Sequence, residues 1–347
     1  MRLPFFMPMK AIQIQRFSKE PTNLTLIECD IPRPQMGEVL IKVEAFGLNF
    51  ADIMARKGKY RDAPPLPFIP GYDVVGRIAE INDTITHLAI GDRVCALTRF
   101  GGYAEYACAD ARAVQKIDEG ISVTEALSLA TQGATAWYCV EESASLLSNS
   151  EVLVTAAAGG VGSLILQMCV HKQCNVWGIV GSDEKKGLIR SMGAHYALNR
   201  NQGDVFKQIQ EILPGTKFDA FFDSAGGSYS RKGIKSLAPG GIYVGYGASQ
   251  SSQINNPFSF LKFALSFGFY HPAPFLMNSQ GIKGVNMLRL ADHKPLMIKK
   301  CMESIFELHA QNIIKPLAGK TFAISDITEA HAHLEAGKIP GKIAITW

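Results

Sequence analysis

The chain has 347 residues, of which 47% are hydrophobic and 19% charged, a composition that supports a large core divided between about two domains. Its net charge of +4 arises from 35 basic and 31 acidic residues, a balance too even to indicate a nucleic-acid-binding surface, and no apolar run reaches the roughly 20 residues of a membrane-spanning helix. The seven cysteines include no C-x-x-C pair, which argues against a disulfide framework or a structural zinc lobe and favours a reducing, cytoplasmic setting.

The first third of the chain is predicted to be rich in β-strands. Apolar and polar residues alternate over Glu38–Ala45, as is typical of a half-buried strand. A turn and a short helix are predicted over Gly47–Gly58. Further strands are predicted over Lys10–Gln15 and Leu24–Glu28, as a hairpin, and over Val74–Ile81, Arg93–Thr98 and Tyr103–Cys108. Together they indicate a small barrel, preceded by a tail that ends near Met9.

The segment Val152–Leu166 predicts a buried strand, a tight turn of small residues and a helix. Ala157, Gly159 and Gly162 give the spacing A-x-G-x-x-G, which is the dinucleotide-binding pattern with alanine in the first position. Small residues let the backbone approach a pyrophosphate, and the N–H groups that open the helix face the anion. On the motif alone, a turn that only lets two backbones pass closely remains an equal alternative.

Strands and helices alternate around this motif. A helix over Thr124–Ser145, with Ser122 as its N-cap, is predicted before it. Strands are predicted over Asn175–Gly181, Ala220–Asp223 and Gly241–Gly245, and helices over Lys185–Met192, Val205–Leu213 and Ser230–Leu237. This repetition indicates a doubly wound parallel sheet. The chain is predicted to end with a helix over Lys299–Gln311 and strands over Ile314–Pro316, Lys320–Ile324 and Ile343–Trp347.

One apolar segment, Pro257–Met277, contains six phenylalanines, all between 258 and 275. Lys262, His271 and two prolines interrupt it, so it is not predicted to span a membrane. Three interpretations remain open. The segment could be a buried or dimer-interface helix followed by a loop, a hydrophobic wall of a substrate cleft, or a peripheral membrane contact.

Several ordered motifs resemble the zinc-free quinone oxidoreductases of the medium-chain dehydrogenase/reductase superfamily. They are GLNFAD at 47–52, Tyr60, PG at 70–71, GDRV at 91–94, GGYAEY at 101–106, TAW at 135–137, AAAGGVG at 156–162 and GKIAI at 341–345. The runs GLNFADIMARKGKY and APPLPFIPG, with IKP at 314–316, look most like the vesicle amine transport protein branch. The resemblance implies a GroES-like β-barrel catalytic domain over 1–131, completed by 287–347, a Rossmann NADP(H)-binding domain over 132–286, and a homodimer.

The sequence departs from the zinc alcohol dehydrogenases of the same superfamily. Where they place a zinc-ligand cysteine, this chain has Phe46-Gly47-Leu48-Asn49, and where they have Gly-His-Glu it has Gly71-Tyr72-Asp73. A catalytic zinc needs three protein ligands and an open position. With two ligands replaced, no metal site is predicted, and oxidation of an alcohol through zinc is not the expected reaction.

The end of the second Rossmann strand favours NADPH over NADH. NAD-specific sites hold the ribose with an acidic residue about 20 positions after the motif, whereas Gly181 and Ser182 occupy this region here. Ser182 can donate a hydrogen bond to a 2′-phosphate, and Lys185 stands where the family places its phosphate lysine. Arg200, where the family often has tyrosine, could supply a second cation. The alternative for Lys185 is an ordinary exposed lysine in the first turn of a helix.

The resemblance also implies the remaining site residues. Asn49 would hold the nicotinamide or the substrate carbonyl, and Tyr60 would donate a hydrogen bond in the cleft, although a packing role for Tyr60 stays open. Asp52 is expected to cap the helix that follows it. The cofactor-binding set implied by position is Asn49, Thr135, Ala158, Gly159, Gly160, Val161, Gly162, Ser182, Lys185, Arg200, Gly245, Tyr246, Asn286 and Lys342.

The expected activity is NADPH-dependent, zinc-independent reduction of quinones or similar activated carbonyls. Hydride transfer to a quinone leaves an oxygen anion that solvent or a neighbouring hydroxyl can protonate, so the protein mainly supplies position and hydrogen bonds. Reduction of an alkenal, alkenone or enoyl thioester is the nearest enzymatic alternative. An NADPH-binding sensor or membrane-associated regulator with little turnover is an alternative of another class.

Overall fold

The computed structural model describes residues 8–82, 84–249, 257–337 and 339–347. The predicted tail before Met9 lies almost entirely outside the described residues. The strands are β1 Pro8–Ile14, β2 Leu24–Asp30, β3 Glu38–Leu48, β4 Asp73–Ile81, β5 Arg93–Leu97, β6 Tyr106–Asp110, β7 Val114–Lys116, β8 Glu151–Val154, β9 Asn175–Val180, β10 Tyr196–Asn199, β11 Phe218–Asp223, β12 Leu237–Gly245, β13 Gly281–Gly284, β14 Lys320–Ala323 and β15 Ile343–Thr346. The helices are α1 Phe50–Arg56, α2 Val123–Leu127, α3 Ala134–Trp137, α4 Gly160–His171, α5 Asp183–Ser191, α6 Val205–Ile212, α7 Ser228–Lys235, α8 Pro257–Ser266, α9 Pro272–Asn278, α10 Met287–His293, α11 Pro295–Ala310 and α12 Ile327–Ala336.

The chain divides into two compact units. The first contains the residues up to Ala134 together with Met287–Phe306 and Pro316–Trp347, and the second contains Thr135–Asn286 and Glu307–Lys315. The first unit is therefore assembled from both ends of the chain.

A sheet of seven strands forms the first unit, in the order β14-β15-β3-β4-β5-β7, with β6 also paired to β3. The long strand β3 is central because its neighbours β4, β6 and β15 all run antiparallel to it. Its apolar residues, among them Val39, Ile41 and Phe46, pack into the core with Val74, Val94 and Ile343. This arrangement is the GroES-like fold, and the predicted β1–β2 hairpin is confirmed as an antiparallel pair.

The second unit is built on a parallel sheet with the order β10-β9-β8-β11-β12-β13. The strand order reverses between β8 and β11, because the chain winds outward in one direction through β9 and β10 and in the other through β12 and β13. The carboxyl ends of the strands at such a reversal form the crevice in which open α/β sheets bind ligands. The predicted doubly wound Rossmann fold is confirmed, and the glycine-rich turn follows β8 at the reversal.

Some elements differ from the prediction. Ile314–Pro316 forms no strand; the segment ends in Pro316, which has no N–H to donate to a strand ladder. The predicted helix over Thr124–Ser145 begins as expected, with the Ser122 hydroxyl accepting the Glu125 N–H at 3.2 Å. It then contains two wider turns, over 128–133 and 138–142. Strands β7, β10 and β13 were not predicted, and β13 reads GIKG, with a glycine at each end that weakens the strand pattern.

The phenylalanine-rich segment is helical over both α8 and α9. Residues 267–271 after α8 have no regular structure, but the expected loop does not extend to Met277. Pro272 occupies the first turn of α9, where its missing N–H costs no hydrogen bond. Phe258, Phe269 and Leu276 are 79%, 90% and 84% exposed, so these side chains are not part of a core within the chain. In the described part of the chain, none of the helices combines the length and apolar character required to cross a bilayer.

Candidate functional site

The glycine-rich turn after β8 has no room for larger residues. A Cβ atom on Gly162 would lie 2.3 Å from the backbone oxygen of Ala156, and Ala156 itself has φ of +48°. Gly159 is the N-cap of α4, which begins at Gly160. The predicted residues Ala158 to Gly162 therefore all lie on this turn and the first turn of α4, where N–H groups lack intrahelical partners and can bind an anion.

A buried carboxylate holds the turn at the reversal of the sheet. Asp223, the last residue of β11, accepts hydrogen bonds from the hydroxyls of Thr155 at 3.0 Å, Ser230 at 3.0 Å and Tyr243 at 2.9 Å. It also accepts the N–H of Ala225 at 2.8 Å. Thr155 directly follows β8, so Asp223 ties the ends of β8, β11 and β12 together. Sequence reasoning identified Asp223 only as the end of a strand.

Predicted phosphate-binding residues meet at the ends of β9 and β10, which are adjacent parallel strands. Gly181 follows β9 and Arg200 follows β10. A Cβ atom on Gly181 would lie 3.2 Å from Nη2 of Arg200, so the guanidinium covers this glycine closely. Ser182 is the N-cap of α5, with its hydroxyl oxygen 3.4 Å from the N–H of Lys185. Gly181, Ser182, Lys185 and Arg200 thus share one end of the sheet.

One acidic residue in this region escaped the sequence analysis. Asp183 follows Ser182 and lies in the first turn of α5. Its carboxylate accepts hydrogen bonds from Asn199 at 3.3 Å and Gln202 at 2.9 Å and forms an ion pair with Lys186 at 3.3 Å. These groups hold the pKa of Asp183 below its ordinary value, with the Asn199 hydrogen bond as the largest cause. Asp183 is thus a carboxylate already bound by protein donors.

In the first unit, Asn49 lies between β3 and α1 and is only 7% exposed. Its backbone N–H donates to Oδ2 of Asp52 at 2.7 Å, which is the capping role expected for Asp52. The Asn49 side chain makes two further contacts. Its Oδ1 accepts from Nζ of Lys342 at 2.8 Å, and its Nδ2 donates to Oδ1 of Asp73 at 3.2 Å. Because a lysine can only donate and a carboxylate can only accept, these partners fix which way the amide faces.

The register of the sheet explains why Lys342 and Asp73 meet. Strand β15 pairs with β3 so that Ile343 lies opposite Leu48, which brings Lys342 beside Asn49. Lys342 and Asp73 are completely buried and form an ion pair with an N···O distance of 2.5 Å. A Cβ atom on Gly47 would lie 2.2 Å from Asp73 Oδ1 and 2.3 Å from Lys342 Cε. Glycine at position 47 is therefore a requirement of this buried cluster.

A second buried network begins at Asp52. Its Oδ1 accepts the N–H of Gly71 at 3.2 Å, and its carboxylate is also bound by the hydroxyl of Tyr103. Burial raises the pKa of Asp52 to about 7, and the nearby carboxylate of Asp73 contributes. The Tyr103 hydroxyl lies 3.2 Å from Nε2 of His331. Burial lowers the pKa of His331 to about 3, with a smaller contribution from Arg56.

Tyr60 lies in an aromatic cluster with Phe68, Tyr72 and Phe100. Its ring is half-buried and packs edge-on against Tyr72, with centroids 6.0 Å apart. Burial raises the pKa of Tyr60 to about 12, and Asp62 and Asp52 add to the effect. The phenol therefore remains protonated at neutral pH and can donate a hydrogen bond.

Four further predicted cofactor-binding residues are in the second unit. Gly245 ends β12, and the Tyr246 hydroxyl lies 3.4 Å from the backbone oxygen of Thr155, so both are close to the sheet reversal. Thr135 is nearly buried, and Asn286 follows β13 on the surface. Lys342, also in the predicted cofactor-binding set, is completely buried in the first unit, where its Nζ donates to Asn49 and Asp73. Among the residues that the structure describes, no three His, Cys, Asp or Glu side chains form a group that could hold a metal.

Two family profiles match the chain. The alcohol dehydrogenase GroES-like domain matches residues 35–119 and the zinc-binding dehydrogenase domain matches residues 160–299. The synaptic vesicle membrane protein VAT-1 homolog-like of Homo sapiens is 30% identical over 328 residues, which is 93% of this chain and 77% of that protein. Quinone oxidoreductase-like protein 2 of Mus musculus is 28% identical over 320 residues, covering 91% of this chain and 87% of that protein.

Solved structures agree with these similarities. A mycobacterial protein in complex with NADPH has a TM-score of 0.83 and 26% identity, covering 98% of this chain and all of that one. The structure of the human VAT-1 homolog-like protein has a TM-score of 0.82 and 26% identity, covering 98% of each chain. The chain therefore belongs to the quinone oxidoreductase family of the medium-chain dehydrogenase/reductase superfamily, which includes the VAT-1 homologues.

Proposed function

We propose that the protein uses NADPH to reduce quinones or similarly activated carbonyls, without zinc. The observation that carries this proposal is the end of β9, where Arg200 covers Gly181 beside Ser182 and Lys185. Two cations and a hydroxyl at this position suit a 2′-phosphate. The Asp183 carboxylate already accepts hydrogen bonds from Asn199 and Gln202. It is therefore less available to accept a hydrogen bond from the ribose hydroxyl of NADH.

The glycine-rich turn fits the pyrophosphate of such a cofactor. Any side chain on Gly162 would collide with the backbone of Ala156, so the turn keeps its N–H groups accessible for close approach by an anion. The related mycobacterial protein is known as an NADPH complex. When bound, the cofactor would supply the hydride. The protein would hold the pyrophosphate on α4 and the 2′-phosphate at Ser182, Lys185 and Arg200.

The first unit would act on the reacting groups. Asn49 has one amide hydrogen bound to Asp73 and its oxygen bound to Lys342, which leaves its second amide hydrogen to donate to a carbonyl oxygen. The phenolic hydroxyl of Tyr60 would donate a hydrogen bond to the oxygen of the acceptor. Such preoriented donors stabilise negative charge as it develops on an oxygen.

The first test is steady-state oxidation of NADPH, and of NADH in parallel, with 9,10-phenanthrenequinone, a simple benzoquinone and an alkenal. We expect selective turnover of NADPH with a quinone. Turnover with the alkenal alone would favour the conjugate reductase. Tight binding of NADPH without turnover on any acceptor would favour a sensor or regulator, which the similarity to synaptic vesicle membrane proteins keeps relevant.

Cofactor preference is tested by Lys185→Glu and Arg200→Ala. Each change removes a cation from the proposed phosphate site, and the loss of a charged hydrogen bond of about 1.5 to 3 kcal/mol should raise the Michaelis constant for NADPH roughly tenfold or more. The constant for NADH should stay nearly unchanged. Arg190→Ala removes a cation from the last turn of α5 and is the matched control. Equal effects on both cofactors, or a preference of the wild type for NADH, would instead indicate that Asp183 binds the ribose hydroxyl of the cofactor.

We also propose that the protein is a cytoplasmic homodimer. Strand β13 is the edge of the described parallel sheet, and Ile282 on this strand is 47% exposed. The neighbouring Leu276 and Met277 on α9 are more than 80% exposed. An open edge with apolar residues is typical of a strand that pairs with another chain. Light scattering of the purified protein would measure the mass, and a monomer at micromolar concentration would exclude this assembly.

A further inference from the structure

Tyr72 carries a buried hydroxyl for which the described part of the chain offers no hydrogen-bond partner. The residue is 5% exposed, so bulk water does not replace the missing partner. A buried hydroxyl without a partner destabilises a protein, and phenylalanine at the same place would avoid this cost. An uncompensated hydroxyl of this kind requires an explanation, and a hydrogen-bond partner supplied by a ligand is one such explanation.

The surroundings of Tyr72 are aromatic and apolar. Its ring lies 5.1 Å from that of Phe100 and 6.0 Å from that of Tyr60, and Phe68 and Leu288 belong to the same cluster. Burial raises the pKa of Tyr72 well above its ordinary value, and the carboxylate of Asp52 adds to the effect. The phenol is therefore neutral and is a donor at any physiological pH.

The backbone of Tyr72 is held firmly next to the proposed reaction centre. Gly71 has φ of +108° and donates its N–H to Asp52. On the other side, Asp73 belongs to the buried cluster with Asn49 and Lys342. The carbonyl of Tyr72 accepts the N–H of Thr98 at 2.8 Å. Tyr72 is thus fixed between two residues that are tied to Asn49, one of them directly and one through Asp52.

We propose that the Tyr72 hydroxyl is a second hydrogen-bond donor for the carbonyl oxygen of the acceptor, alongside Tyr60. This inference rests on the proposed function and deepens it by assigning a further substrate-contacting residue. The half-buried ring of Tyr60 lies against Tyr72, so an acceptor reaches the hydroxyl when the Tyr60 ring moves aside. Flat, conjugated acceptors such as quinones suit an opening between aromatic rings.

The test is Tyr72→Phe, which removes one oxygen atom and keeps the ring. The free protein should gain stability, with a melting temperature higher by a few degrees, since an unpaired buried hydroxyl is lost. With 9,10-phenanthrenequinone, kcat/KM should fall about tenfold, as expected for the loss of one hydrogen bond in the complex. The dissociation constant for NADPH, measured by its fluorescence, should not change.

A second readout does not depend on turnover. Quenching of tryptophan fluorescence measures binding of 9,10-phenanthrenequinone in the absence of NADPH, and Tyr72→Phe should weaken this binding by a similar factor. Tyr103→Phe is the matched control, because its buried hydroxyl is already hydrogen-bonded at 3.2 Å to His331. It should lower the melting temperature, in contrast to Tyr72→Phe.

The outcomes separate this inference from the proposed function. If the wild type reduces the quinone and Tyr72→Phe does so with unchanged kcat/KM and affinity, the assignment of Tyr72 is wrong while the reductase function stands. A loss of stability in Tyr72→Phe would also overturn it, because the hydroxyl would then have a partner in the free protein. Absence of quinone turnover and binding in the wild type would reject both.

Discussion

The side chain of Asn49 is held by a buried partner on each side of its amide. Lys342 binds its oxygen and Asp73 binds its nitrogen, while neither partner is exposed to solvent. A free asparagine could turn its amide over and present an acceptor in place of a donor. The buried ion pair therefore fixes the orientation of the Asn49 amide, and in the proposed function Lys342 acts as a positioning residue for Asn49.

Lys342→Met tests this arrangement. The change leaves the Asp73 carboxylate buried without its cation, which should reduce the free energy of unfolding by about 3 to 5 kcal/mol. The double variant Lys342→Met with Asp73→Asn removes both charges and should recover at least half of that loss, while quinone turnover stays low because Asn49 loses its fixed orientation. Urea unfolding measures both variants. A single variant as stable as the wild type would contradict the role of the pair.

The sequence pointed to Asn49 and Lys342 separately, but it did not indicate that Lys342 and Asp73 bind the Asn49 side chain. Asn49 and the turn residues 158–162 lie within short motifs, where neighbours along the chain carry the signal. Lys342 and Asp73 are separated by 269 positions, and their contact depends on the register of β15 and β4 against β3. Pairing register is a property of the assembled sheet, so the contacts that orient Asn49 became evident only in the structure.

The conformation of the turn before α4 depends on glycine at position 162. Gly162→Ala would place Cβ 2.3 Å from a backbone oxygen, which only a shift of the turn can relieve. We expect a destabilisation of about 1 to 3 kcal/mol and a clearly weaker affinity for NADPH, because the N–H groups of the turn would move. Thermal unfolding and fluorescence titration measure the two effects.

The matched control is Gly187→Ala in α5. Position 187 has open space around a Cβ atom and lies inside the helix, so alanine should stabilise the protein by roughly 0.5 to 1 kcal/mol. Affinity for NADPH should be retained. If the two alanine variants behaved alike, the close approach at Gly162 would not be the reason for glycine in the motif.

Apolar runs in the sequence predicted buried strands correctly in one part of the chain and did not predict burial in another. The four inner strands of the Rossmann sheet, β9, β8, β11 and β12, were predicted because buried parallel strands are continuous apolar runs, as in β8 and β11. The phenylalanine-rich segment has a similar composition, yet many of its described side chains on α8 and α9 are exposed. Apolar composition indicates a surface that must be covered, and it does not indicate whether the same chain covers it.

At the scale of the whole molecule, stability should depend on pH through two buried groups with opposite effects. Asp52 has a pKa of about 7 in the folded protein against an ordinary 3.8. Between these values the folded state binds more protons than the unfolded state, so this group makes stability fall as pH rises from about 4 to about 7. His331 has a pKa of about 3 against an ordinary 6.5. His331 therefore makes stability rise with pH between about pH 3 and pH 6.5.

Both groups contact the hydroxyl of Tyr103, and their slopes oppose each other between about pH 4 and 6.5. The free energy of unfolding of the wild type should therefore vary with pH less than that of either variant. In Asp52→Asn the contribution of His331 remains, so stability should rise more steeply from pH 4 to 6.5. In His331→Gln the contribution of Asp52 remains, so stability should fall over the same range. Urea unfolding at several pH values measures the slopes, and parallel profiles for all three proteins would show that neither group titrates as its burial requires.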